Sequence, residues 1–167
     1  IVTRINVGVD PVSIAVRPDG NEVWVSNHVS DSVSVVDVDP QSPTNQTVVA
    51  TIQQFDRRTK ATRFDEPVGI AFAGNEKAYI ALSSENIIAV VDATTRKVTK
   101  RLRINAQDPR AIRVHGDRLY VIPFESNNQT QLSGGGRGKK FDGKLVTFDA
   151  HRHSIARNNV LSLGHVV

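Results

Sequence analysis

Apolar residues alternate with small or polar ones along most of this chain. Val23-Trp-Val-Ser-Asn27 and Val33-Ser-Val-Val-Asp37 have a period of two, the spacing of side chains on one face of a β-strand. The stretch from Asp10 to Asp37 therefore predicts three short strands joined by tight turns. Pro18-Asp19-Gly20 is a turn, since proline presets φ and glycine takes the positive-φ position. No stretch carries a long helical period.

The pattern returns twice. Asp10-Pro-Val-Ser-Ile-Ala-Val16 is matched by Glu66-Pro-Val-Gly-Ile-Ala-Phe72 and by Asp108-Pro-Arg-Ala-Ile-Arg-Val114. The anchors Pro11, Pro67 and Pro109 stand 56 and 42 residues apart, and the rings Trp24, Tyr79 and Tyr120 follow them at 13, 12 and 11 residues. Asp37 and Asp92 each lie 13 residues beyond their ring, whereas Asp149 lies 29 beyond Tyr120. Gly74-Asn75 and Gly116-Asp117 repeat the turn. Repeats of roughly 40 to 50 residues without room for a long helix predict an all-β propeller of four-stranded antiparallel blades.

Trp24-Val25-Ser26-Asn27 resembles the Tyr-Val-Thr-Asn motif of the YVTN β-propeller repeat family. Pro-x-x-Ile-Ala-Val, Pro-Asp-Gly and Ser-Val-Val-Asp flank it in that family's order. The second and third units depart, with Tyr79-Ile-Ala-Leu82 and Tyr120-Val-Ile-Pro123 lacking the asparagine. The structural repeat residues are thus Pro11, Trp24, Asn27, Asp37, Pro67, Tyr79, Asp92, Pro109, Tyr120 and Asp149. The resemblance implies a bacterial protein of the periplasm or cell surface. It also implies that residues 1–8 form the outer strand of a preceding blade, as residues 48–52, 98–104 and 160–164 do for theirs.

The expected division is an orphan strand at 1–8, blade 1 at 9–53, blade 2 at 64–104 and blade 3 at 105–167, with an insertion at 125–143. Strand a of each blade lines the axis. Ile14, Ala15, Ile70, Ala71 and Ile112 on these inner strands are expected to pack against Trp24, Tyr79 and Tyr120. Propellers close with about four to eight blades, so three predict either part of a larger ring or a half-ring that pairs with a second copy.

Composition narrows the chemistry. The chain has 167 residues, a net charge of +4 and no cysteine. Disulfides, thiolate metal sites and Cys-x-x-Cys-His haem attachment are excluded within these residues. No apolar run reaches the length of a membrane span. The cations Arg57, Arg58, Lys60 and Arg63 read first as solvated loop charge, as do Arg137, Lys139 and Lys140, with an anionic surface as the second reading. No nucleic-acid partner is expected.

No catalytic constellation or metal site is expected, and no cofactor. Ser133-Gly-Gly-Gly-Arg-Gly-Lys-Lys140 has the wrong spacing for a phosphate-binding loop. His151 and His153 lack further ligands for zinc. Asp10, Glu66 and Asp108, with Asp37, Asp92 and Asp149, read as turn carboxylates that accept backbone N–H bonds. Calcium at Asp31, Asp37 and Asp39 is a weaker reading. Candidate binding residues are Asn127, Asn128, Arg137, Lys139 and Lys140, because long insertions in compact repeats are often functional. The expected function is a non-catalytic binding or scaffold module acting through rim loops, with a protein or small-molecule ligand. Two alternatives stand beside it. One is the propeller part of a larger c-type cytochrome-containing redox protein, and the other is a propeller lyase or hydrolase.

Overall fold

The structure is a computed structural model that describes residues 3–104, 107–125, 144–149 and 161–162, with backbone alone from residue 125 onward. Twelve strands are present among these residues. Blade 1 comprises β1 (Pro11–Val16), β2 (Glu22–Asn27), β3 (Ser32–Asp37) and β4 (Thr47–Ile52). Blade 2 comprises β5 (Pro67–Phe72), β6 (Lys77–Leu82), β7 (Ile87–Asp92) and β8 (Lys97–Arg103). Blade 3 comprises β9 (Gln107–His115), β10 (Arg118–Glu125), β11 (Lys144–Asp149) and β12 (Leu161–Ser162). Each blade is a separate antiparallel sheet whose strands pair in chain order.

Register places the repeat residues alike. Trp24 pairs with Ala15, Tyr79 with Ala71 and Tyr120 with Arg113. The a–b turns take positive φ at Gly20, Gly74 and Gly116, as a short hairpin requires. The innermost strands approach closely: a Cβ on Gly69 of β5 would stand 2.4 Å from the carbonyl oxygen of Arg110 on β9.

Two cores fill the seams between blades. Between blades 1 and 2, Trp24, Val33 and Val35 meet Ile70, Ala78, Ile80, Leu82 and Ala89, and Trp24 stands edge-on to Phe72 at 5.0 Å. Between blades 2 and 3, Tyr79, Ala81 and Ile88 meet Ile112, Leu119 and Val121. The full burial of Trp24 and Tyr79 in the two seams (0% and 1% exposure) is what organises the repeat. Such a ring stabilises by about 1.5–3 kcal/mol.

Two expectations fail at the ends of the arc. Ile14 does not pack in a seam; it is 66% exposed, along with Val12 and Val16. Its counterpart Ile70 is buried because blade 1 covers it, and no blade covers Ile14. Tyr120 is only half-buried for the mirror reason, since it looks out from the last blade. Residues 3–8, expected as the outer strand of a preceding blade, carry no strand assignment, and the strands such a blade would supply are not among the described residues.

Candidate binding rim

Antiparallel blades have two rims. One carries the a–b and c–d hairpin turns. The other carries the b–c turns and the crossings from one blade to the next. The two differ in how their polar groups are used.

On the hairpin rim the carboxylates serve the backbone. Asp92 Oδ1 accepts the N–H groups of Thr94 and Thr95 at 3.0 and 2.7 Å. Asp37 Oδ1 accepts the N–H of Asp39 at 2.9 Å, while its Oδ2 accepts the hydroxyls of Ser42 and Thr44. These bonds hold both carboxyls below the ordinary value, the Ser42 and Thr44 hydroxyls leading for Asp37 and the Thr95 N–H for Asp92. Asp39 lies beside Asp37, but Asp31 lies at the opposite end of β3, so the three never meet as a calcium site. A pocket of about 320 Å³ opens here between Glu22, Asp37, Ser42, Thr44 and Arg96. Glu22 ties the seam beneath it, accepting the Trp24 indole N–H at 2.9 Å and pairing with Arg96 at 2.8 Å.

The crossing rim is built by a latch that repeats. Asp31 Oδ1 accepts the N–H of Glu66 at 3.0 Å, and Asn86 Oδ1 accepts the N–H of Asp108 at 2.7 Å. The b–c turn of one blade thus grips the first residue of the next. Asp10, Glu66 and Asp108 take positive φ at 57°, 49° and 54°. Their roles reverse the expectation: the N–H donates and the carbonyl accepts, from His28 N–H to Asp10 and from Ser83 N–H to Glu66. The Glu66 carboxylate accepts the Ser83 hydroxyl, and Asp108 pairs with Arg110. Asn27 is buried and donates to the Ser32 and Ser34 hydroxyls. It is a fold residue.

Four carboxylates crowd this rim. Burial raises the Asp65 carboxyl above its ordinary value, and the charges of Asp31, Glu66 and Glu85 raise it further. Hydroxyl bonds from Ser84 and Ser83 hold Glu66 low. Among the described residues no group of three or more His, Cys, Asp or Glu is placed to hold a metal ion.

Two long connections have their described ends on this same rim. One is residues 53–66 between blades 1 and 2. The other is residues 126–143, which joins β10 to β11. The candidate residues Asn127, Asn128, Arg137, Lys139 and Lys140 fall on that second segment, and with His151, His153 and the Asp149 side chain they lie outside the described residues. Residues 53–63, whose cations read in the sequence as solvated loop charge, form a hairpin with a bridge between Phe55 and Thr62. Asp56 Oδ1 accepts the N–H groups of Arg58 and Thr59 at 2.9 and 2.8 Å. Lys60 N–H closes on the Asp56 carbonyl at 3.0 Å. Asp92-x-x-Thr95-Arg96 makes the same turn, and that recurrence of Asp-x-x-Thr-cation was the readable signal.

No protein-family model matches the sequence, and a search of curated proteins finds no match. Solved structures do resemble the fold. Hydrazine synthase of Kuenenia stuttgartiensis superposes with a TM-score of 0.72 at 24% identity, over 96% of this chain and 40% of that one. The β-propeller domain of Cps50 (Swd1) from Myceliophteria thermophila gives 0.60 at 12% identity, over 90% of this chain and 38% of its own. The fold is a β-propeller. A protein of unknown function from Desulfotomaculum acetoxidans is also similar, at 0.60 and 16% identity over 86% of this chain and 38% of that one. The chain therefore spans about two fifths of the length of these chains. Among the described residues no helix is long and apolar enough to cross a membrane.

Proposed function

We propose that this chain is a non-catalytic binding module of an exported bacterial protein, a propeller of the YVTN kind that engages its ligand through the crossing rim. The observation that carries the reading is that both long connections have their described ends on one rim, while the hairpin rim spends its carboxylates on its own turns. The YVTN assignment and a periplasmic or surface location rest on the Trp24-to-Asn27 motif and its flanking elements.

A thermal-shift screen against peptides, oligosaccharides and nucleotides, followed by a hydrogen-exchange footprint of each hit, tests the rim. Protection over residues 28–31, 53–66, 83–86 and the 126–143 segment is the expected result. Protection confined to residues 38–46 and 93–96 refutes it.

A second reading, the propeller portion of a larger redox protein, draws on the likeness to hydrazine synthase, of which this chain matches 40%. With no cysteine here, c-type haem attachment would lie elsewhere in the polypeptide, and these residues would bind and orient. A Cys-x-x-Cys-His motif in the flanking coding sequence decides between the readings.

A further inference from the structure

We infer that the hairpin at residues 53–63 is a preorganised finger for an acidic segment of a partner protein, a step that rests on the rim reading and names the partner's chemistry. The tip places Arg57, Arg58 and Lys60 within four residues, all exposed. No salt bridge to any of the three is present among the described residues. The neighbouring carboxylate, Asp56, is occupied by the turn's own N–H groups. Like charges this close repel one another, and a solvated loop would relax by spreading them. This hairpin is held instead.

The clamp is specific. The Arg101 guanidinium, reaching from β8, donates to Gln54 Oε1 at 2.8 Å and to the carbonyl of Arg63, and pairs with Glu85. Those contacts grip both legs of the hairpin at its base. Phe64, fully buried in the seam core, pins the returning leg. Holding the turn in advance removes ordering entropy from the cost of binding. Beside the tip Phe55 is 52% exposed, which offers an apolar contact next to the cations.

The charge map selects the partner. A nucleic acid or other long polyanion that continued from the finger to Asp31, Asp65, Glu66 and Glu85 would meet like charge. A short run of Asp or Glu with an apolar neighbour touches the tip and Phe55 and stops there.

The test is fluorescence anisotropy of the whole chain with a labelled peptide of glutamates ending in leucine. Saturable binding is expected, weakened by added salt. Replacing Arg57 and Arg58 by Gln and Lys60 by Asn should weaken it about tenfold, as the loss of three exposed ion pairs implies, at an unchanged melting temperature. Asparagine suits the φ of 60° at Lys60. Phe55→Ser should weaken it further. Absence of saturable binding, or binding that survives the triple substitution, overturns the inference. So does tighter binding of a single-stranded oligonucleotide of matched charge, which would assign the finger to nucleic acid. None of these outcomes depends on the hydrogen-exchange footprint that tests the rim, so either proposal can fail alone.

Discussion

At the residue scale, single side chains hold the seams. Tyr79→Ala removes a ring that is 1% exposed and touches both neighbouring strands and blade 3. It should cost about 3–5 kcal/mol, read as a shift in the denaturant midpoint. Glu22→Ala leaves the Trp24 indole N–H without its acceptor, and a stranded buried donor costs about 1–3 kcal/mol. The carboxylates divide by sign. Asp56 and Asp92 are held below the ordinary 3.8, so their contribution is present above that pH and is lost as pH falls through their folded values. A thermal melt series below pH 4 should show this loss, flattened in Asp92→Asn. Asp65 is raised, so its ionised form opposes folding at neutral pH and is relieved as pH falls. Asp65→Asn should therefore raise the melting temperature at pH 7, with the gain vanishing once the wild-type carboxyl is protonated in both states.

At the element scale, the hairpins and the inner strands are set by different constraints. The Asp-x-x-Thr turns at Asp56 and Asp92 close on local bonds alone, which explains why one turn type serves both a c–d connection and an excursion. The inner strands depend on partners from the next blade. Gly69 has no room for a side chain, since its Cβ would meet the Arg110 backbone at 2.4 Å. Gly69→Ala should separate β5 from β9 and cost about 1–3 kcal/mol, as overpacking does, measured by chemical denaturation. The acid–proline openings of blades 2 and 3 behave as latches rather than as ligands, because the N–H groups of Glu66 and Asp108 reach the preceding blade's b–c turn.

For the whole molecule, the arc ends on two unlike faces. Val12, Ile14 and Val16 stand open on blade 1, and Ile122 and Phe124 on blade 3, with Phe124 69% exposed. Ile70, the blade 2 counterpart of Ile14, is buried in a seam, so for this pair the exposure comes from position in the arc and not from residue type. Patches of this kind mark interaction surfaces. The purified chain should show concentration-dependent association in sedimentation, and Ile14→Lys should reduce it while leaving the melting temperature unchanged. The outgoing face of blade 3 carries Arg113 where blades 1 and 2 carry Ala15 and Ala71, so it is not a simple copy of the other two.

The sequence by itself determined the strands, the turns and the repeat. These follow from a period of two, from glycine at positive φ and from recurring rings, all of which are local or read from spacing. It also identified Trp24, Tyr79, Ile70, Ala71 and Ile112 as seam residues, because repeats that cannot bury a face alone must bury it on a neighbour. Tertiary structure alone decided which repeat residues lack a neighbour. Ile14 and Ile70 read identically in sequence, yet one is solvent-facing and the other is core. Only the fold separated Asp31 from Asp37 and gathered Asp65 with Asp31, Glu66 and Glu85. Likewise it is the fold that let Arg101 reach back 38 residues to Arg63 and turn a basic loop into a fixed finger. Contacts between blades depend on where each strand comes to lie, and no local propensity encodes that.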